Sequence, residues 1–278
     1  MRVTNNMMTS SQTKAISQNL TKYHQISEQL NSGKLITKPS QNPYFTTKIM
    51  GYKQEISQKE QYQRNIDHAT TLMNEADSSL SEINSVMLRI KELTTQAAND
   101  TTSIEDKQAM ATEIEQLKKT IQDSLDKKVN DKPVFAKSDA DVQNVEISSS
   151  SSVDCNMYYD DVTGSNPDIF ETLDKLIETL NDPDATSEDI TTISEQLTQH
   201  ENQILSVRTK VGAVTNRLDV AKDRNENEIT TLGSLLSNIE DVDYAEKIIE
   251  LTAAEVAYSA SLQVSASMMQ QSLLDFLR

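Results

Sequence analysis

Cys155 is the one cysteine in a chain of 278 residues. No internal disulfide can form, and no thiol-rich metal site can be assembled. Tryptophan is absent and aromatic residues make up 4% of the chain, which removes the bulky side chains that fill a thick globular core. Five glycines leave no G-x-G-x-x-G, Walker-type or G-x-S-x-G motif, so phosphate-cradling loops and nucleophile elbows are excluded. The three histidines, His24, His68 and His200, form no H-E-x-x-H pair. The acidic runs Asp160-Asp161 and Glu240-Asp241-Val242-Asp243 read as a solvated loop and a complemented helix N-terminus. No enzyme, cofactor or metal is therefore expected. No stretch approaches the ~18 apolar residues of a membrane span, and the start, Met1-Arg2-Val3-Thr4-Asn5-Asn6-Met7-Met8, lacks the apolar run of a secretory signal. Basic residues are also scarce: 26 Lys and Arg face 43 Asp and Glu, for a formal charge of −17. Neither a membrane nor nucleic acid is expected as a partner, since phosphate binding needs a basic face.

What the chain does have is helical periodicity. Ile66, Ala69, Met73, Ala76, Leu80, Ile83, Met87, Ile90, Thr94 and Ala97 recur at steps of three and four, and Ile49, Tyr52 and Ile56 extend the stripe upstream. The spacing predicts one long helix over about 45–99. Ile190, Ile193, Leu197, His200, Ile204, Val207, Val211, Val214, Leu218 and Ala221 predict a second, beginning near Ser187, with the 3.5-residue step of a coiled coil. His200 falls on its seam, where a polar residue can fix register. Asn225 and Glu228 interrupt the seam. Shorter helices are expected at 103–128, opened by a Ser103/Asp106 capping box, and at about 167–181. Residues 130–167 hold the Ser run 148–152, Cys155 and short apolar pieces, and read as a strand or hairpin insertion with a flexible tip. The fold expected is mainly α: a nested antiparallel long-helix bundle with paired terminal helices and a small β/loop insertion. The expected domains are 1–44 with 240–278, 45–129 with 168–239, and the insertion 130–167.

Both ends carry amphipathic stripes with no local core. On the first lie Val3, Met7, Ile16, Leu20, Tyr23 and Leu30. On the last lie Tyr244, Ile248, Leu251, Tyr258, Leu262, Met269, Leu273 and Phe276. Gly33 closes the first helix as a C-cap. Residues 1–45 hold five basic groups and one acid, whereas 240–278 hold seven acids and two basic groups. Opposite charge steers the two ends together. These fourteen residues are the candidate assembly interface.

Several motifs then occur in one order. Gln29-Leu30-Asn31-Ser32-Gly33-Lys34 runs on to Lys38-Pro39-Ser40-Gln41-Asn42-Pro43. Arg89-Ile90-Lys91-Glu92-Leu93-Thr94-Thr95-Gln96-Ala97-Ala98-Asn99 follows. Near the other end come Val211-Gly212-Ala213, Asn216-Arg217-Leu218, Ile239-Glu240-Asp241-Val242-Asp243-Tyr244-Ala245 and Ser272-Leu273-Leu274-Asp275-Phe276-Leu277. With the opening eight residues, these resemble the flagellin superfamily, and within it the branch that forms the hook–filament junction. The likeness covers about 1–128 and 205–278. Of the family's A-N-T…G-R-Y-I-F-A-G stretch, only Asn130 and Phe135-Ala136 remain. The resemblance implies an inner domain of paired terminal helices, a helical bundle and a variable outer insertion. It implies export through the flagellar type III apparatus with a chaperone on the C-terminal region. It also implies a layer of copies between hook-associated protein 1 and the flagellin filament, outside the cell. The alternative within the same superfamily is flagellin itself, the filament subunit.

Overall fold

The computed structural model describes residues 5–99, 102–130, 132–138, 144–164 and 167–276, with side chains from Met7 to Ser267. Val3 and the side chains of Met269, Leu273 and Phe276 lie outside the described part. Among the described residues the chain is mainly α. It divides into two compact units, residues 59–228 and residues 1–58 with 229–278. The division falls inside the two longest helices.

The 59–228 unit is built from α2 (Pro43–Ala97), α3 (Ile104–Leu125), α5 (Ile169–Asn181) and α6 (Ser187–Glu240), α2 and α6 contributing the parts within these bounds. The expected stripes face inward. Ile66, Met73, Leu80, Ile83 and Ile90 of α2, Ile114 and Ile121 of α3, Leu173, Leu176 and Leu180 of α5, and Ile190, Ile204 and Leu218 of α6 are buried in one cluster. Each such side chain contributes roughly 1.5–3 kcal/mol when withdrawn from water. Ion pairs fix the helix direction: Asp67 meets Lys222 at 2.8 Å, Asp77 meets Arg208 at 2.7 Å, and Lys91 meets Glu201 at 2.9 Å. As α2 numbers rise α6 numbers fall, so the two helices are antiparallel.

Local chemistry sets the ends. The Ser103 hydroxyl accepts the Asp106 N–H at 3.2 Å and donates to the Asp106 carboxylate at 2.7 Å, capping α3. α2 begins at Pro43, which has no N–H to leave unpaired in the first turn. The Asn42 side chain caps it by accepting the Phe45 N–H at 3.2 Å.

The insertion contains β1 (Lys128–Val129), β2 (Lys132–Pro133), β3 (Phe135–Ala136), β4 (Asn144–Ser148), β5 (Ser151–Asp154), β6 (Met157–Tyr158) and α4 (Tyr159–Thr163). β1–β2 and β4–β5 are antiparallel pairs, and β3 pairs with β6 in parallel. Asn130, in the β1–β2 turn, takes the left-handed conformation with φ 51°, which asparagine tolerates. The inner face of the insertion closes the bundle: Phe135, Ile147, Val153, Cys155, Met157 and Val162 are buried in the same cluster as the helices. Arg217 Nη2 donates to the Ser152 carbonyl at 3.3 Å, and Asn65 Nδ2 donates to the Glu146 carbonyl at 3.1 Å. The insertion is therefore anchored, and the turn between β4 and β5, Ser149 and Ser150, is its exposed tip. Cys155 is core; burial, helped by the Asp154 charge, pushes its thiol up to about 11.

The second unit holds α1 (Asn5–Ser32), residues 43–58 of α2, residues 229–240 of α6, and α7 (Tyr244–Phe276). α1 packs along α7, so the two terminal helices pair.

Candidate assembly interface

The helix pair is tied at its base by two short connectors, residues 33–42 and 241–243. Gly33 ends α1 with φ +70°, and a Cβ there would stand 2.8 Å from Tyr244 Oη. Only glycine meets both demands without strain. The Leu35 N–H donates to the Glu240 carbonyl at 2.7 Å, and the Val242 N–H donates to the Gly33 carbonyl at 3.1 Å. Lys34 and Asp241 are thereby bridged as in a sheet. From α1 the buried Gln29 amide donates to the Leu35 carbonyl at 2.7 Å. The Asp243 side chain caps α7, accepting the Ala245 N–H at 2.9 Å.

Glu240, the last residue of α6, is 5% exposed. Its Oε1 receives Lys34 Nζ at 2.7 Å and Lys53 Nζ at 2.7 Å. Burial pushes this carboxyl pKa up, but hydrogen bonds and charge from Lys34 and Lys53 together outweigh burial and hold it below the usual range. The hydrogen bond and charge of Glu240 in turn raise Lys34. Two motifs from opposite ends of the sequence, around Gly33 and around Asp241, thus form one structure.

Along the pair itself the candidate residues separate. Ile16, Leu20, Tyr23 and Leu30 of α1 and Leu251 and Tyr258 of α7 are half-buried. The positions covered most fully are others, Ile26 and Ala254. Ile26 lies three residues after Tyr23 and four before Leu30, so the spacing held the signal. Ala254 sits between Leu251 and Tyr258, where a small side chain lets two helices approach. Met7, Tyr244, Ile248 and Leu262 are exposed in the single chain.

The exposed apolar residues of α7 do not form one stripe. Ile249 is 71% exposed, Val256 63% and Val264 48%, and at 100° per residue they point away from Ile248 and Leu262. Residues 251–274 carry one charged side chain, Glu255. Between Leu251 and Ser267, α7 therefore exposes apolar or small side chains on more than one side, interrupted by Glu255 and Gln263, while α1 packs along it. Exposed apolar residues grouped in this way mark a surface that another element covers. Among the described residues no group of His, Cys, Asp and Glu is arranged to hold a metal ion.

The sequence matches known families at both ends. Residues 3–140 match the bacterial flagellin N-terminal helical region, and residues 190–277 match the bacterial flagellin C-terminal helical region. A flagellin from Halalkalibacterium halodurans is 24% identical over 94% of this chain and 93% of its own length. Flagellar hook-associated protein 3 of Salmonella typhimurium is 26% identical over 41% of this chain and 36% of its own length. Among solved structures, a candidate flagellar hook-associated protein from Vibrio parahaemolyticus shares the fold, with a TM-score of 0.68 at 17% identity over 72% of this chain and 100% of that one. With both helical regions matched at the two ends of one chain, and with the fold shared, the protein belongs to the flagellin superfamily.

Proposed function

We propose that this protein is a structural subunit of the bacterial flagellum, similar to hook-associated protein 3, that forms the layer joining hook-associated protein 1 to the flagellin filament. The observation that carries an assembly role is the group of exposed apolar side chains on α7. One neighbour, α1, leaves Ile248, Ile249, Val256, Leu262 and Val264 in water. Exposed apolar area of this extent marks an association surface, and further copies of the same helix pair would cover it. Of the fourteen candidate residues of the two terminal stripes, the exposed ones, Met7, Tyr244, Ile248 and Leu262, belong to that surface. The role is mechanical and not catalytic. The protein works outside the cell, at the flagellum.

The junction reading, as against the filament, is supported by the match to hook-associated protein 3 and by the resemblance of the Met-Arg-Val-Thr start and Leu-Asp-Phe-Leu end. The filament reading is favoured by one observation, the full-length match to a flagellin. Export as an unfolded chain, with a chaperone on the C-terminal region, suits a protein that has no disulfide to break. A strain lacking this gene decides between the readings. Loss of the junction layer leaves cells that secrete flagellin but shed it, and immunolabelling finds a single ring of copies on hooks from the parent strain. Labelling along the whole filament would replace the junction reading with the filament reading.

A further inference from the structure

Glu240 occupies a place that its sequence neighbours do not explain. The connectors it joins have few apolar anchors: Val242 is buried, while Leu35 and Ile36 are half-buried. Packing alone therefore holds the base of the helix pair weakly. Glu240 acts through both its backbone and its side chain. Its carbonyl receives the Leu35 N–H, and its carboxylate receives Lys34 from the first connector and Lys53 from α2. The other charges nearby do not replace it. Asp241 is hydrogen-bonded to the Ser237 hydroxyl at 2.6 Å, Asp243 caps α7, Lys247 pairs with Glu250 at 2.6 Å, and Lys38 pairs with Glu28 at 3.3 Å. Both clamping lysines also lie where cations complement the C-terminal end of the α6 dipole.

We propose that Glu240 is the positioning residue of the assembly unit, a buried carboxylate that locks the α1–α2 connector to the α6–α7 turn and so sets the α1/α7 pair before it meets another copy. This rests on the assembly role proposed above. Two lysines converging on one carboxylate gain charge-assisted hydrogen bonds that a neutral group cannot supply. A buried carboxylate without them would be driven to protonate. The lock therefore depends on charge and not on shape.

The test uses the full-length chain in three forms: wild type, Glu240→Gln, and the charge exchange Glu240→Lys with Lys34→Glu and Lys53→Glu. Thermolysin cleavage beside Leu35, Ile36 and Val242 reads the lock, circular dichroism reads the helices, and filament retention in a strain lacking the gene reads assembly. Glu240→Gln should raise connector cleavage severalfold, since cleavage follows the population of the open segment, while being secreted normally and shedding its filaments. The exchange should restore slow cleavage and filament retention. Unchanged cleavage in Glu240→Gln, or an exchange that restores neither readout, overturns the charge lock. Fast cleavage with filaments retained overturns the positioning role. If wild type itself fails to restore filaments, the junction reading falls, and the cleavage comparison still decides the lock.

Discussion

Inside the bundle, His200 Nε2 lies 3.1 Å from Thr172 Oγ1, and the Thr172 hydroxyl donates to the Asp168 carbonyl at 3.1 Å. With its proton used there, Thr172 accepts from Nε2–H. Nδ1 is then a buried acceptor with no partner among the described residues. Burial lowers the pKa of this histidine, and the Asp168 charge opposes burial only in part. The unfolded chain takes up the proton first as pH falls below the ordinary value near 6.5. Stability is therefore intact above that value and is lost as pH falls through the lowered folded pKa. Thermal melts between pH 7 and 5 should show a falling midpoint, and His200→Gln should flatten that slope. Equal slopes would mean that His200 titrates no differently in the fold. Gly33→Ala should cost about 1–2 kcal/mol from the left-handed backbone alone, plus the clash with Tyr244 Oη. Adding Tyr244→Phe should recover the clash and leave the backbone cost. If the double variant melts no higher than the single, the close approach carries no energy.

Among the elements, the long helices were legible because their apolar residues repeat over many turns, and the start of α3 was legible because Ser103 and Asp106 make a local cap. The start of α2 was displaced: Pro43 reads as a connector residue in sequence but serves as the first residue of the helix. The short apolar pieces of the insertion read as strands, yet nothing in Val134-Phe135 or Val145 to Ile147 says what they pack against. Two or three residues cannot show a period, and their burial is decided by tertiary contact. Phe135, fully buried, should cost about 3–5 kcal/mol when cut to alanine. Replacing 144–158 with a Gly-Ser linker should lower the melting midpoint of the bundle, because Ile147, Val153, Cys155 and Met157 would be withdrawn from its core. A linker variant as stable as wild type would show that the hairpin adds nothing to the core. The opposite holds on α7. Leu262, 43% exposed, should accept aspartate without loss of helix content in the monomer, while filament retention fails, since an unpaired carboxylate in a closed helix interface costs several kcal/mol. Retained filaments would remove Leu262 from the interface. In the terminal stripes, spacing and opposite charge make the pairing of α1 with α7 legible, but they do not separate half-buried residues such as Leu20 and Leu251 from exposed ones such as Ile248 and Leu262.

The charges of the whole molecule are divided unevenly. Residues 59–228 hold 17 basic and 34 acidic side chains, whereas the remaining unit holds 9 of each. All of the net charge thus lies on the bundle unit, and the unit with the exposed apolar helices is neutral. This division suits a chain that stays dispersed as a monomer yet associates through its termini, since net charge opposes close approach and apolar burial drives it. Copies placed side by side bring acidic units together, at a cost set by screening. The Debye length shortens from ~30 Å at 0.01 M salt to ~10 Å at 0.1 M, so self-association of the full-length chain should strengthen as salt is raised over that range, as read by sedimentation velocity. Neutralising exposed acids on the bundle, Glu60→Gln, Glu171→Gln and Asp219→Asn, should reduce the salt dependence and promote association at low salt. The apolar surface of α7 is untouched by these changes, so the high-salt limit should be the same for both proteins. Association that weakens with salt would mean that attraction between charged groups, such as the basic N-terminal segment and an acidic neighbour, outweighs repulsion between bundles, and the neutralised variant would then associate less than wild type.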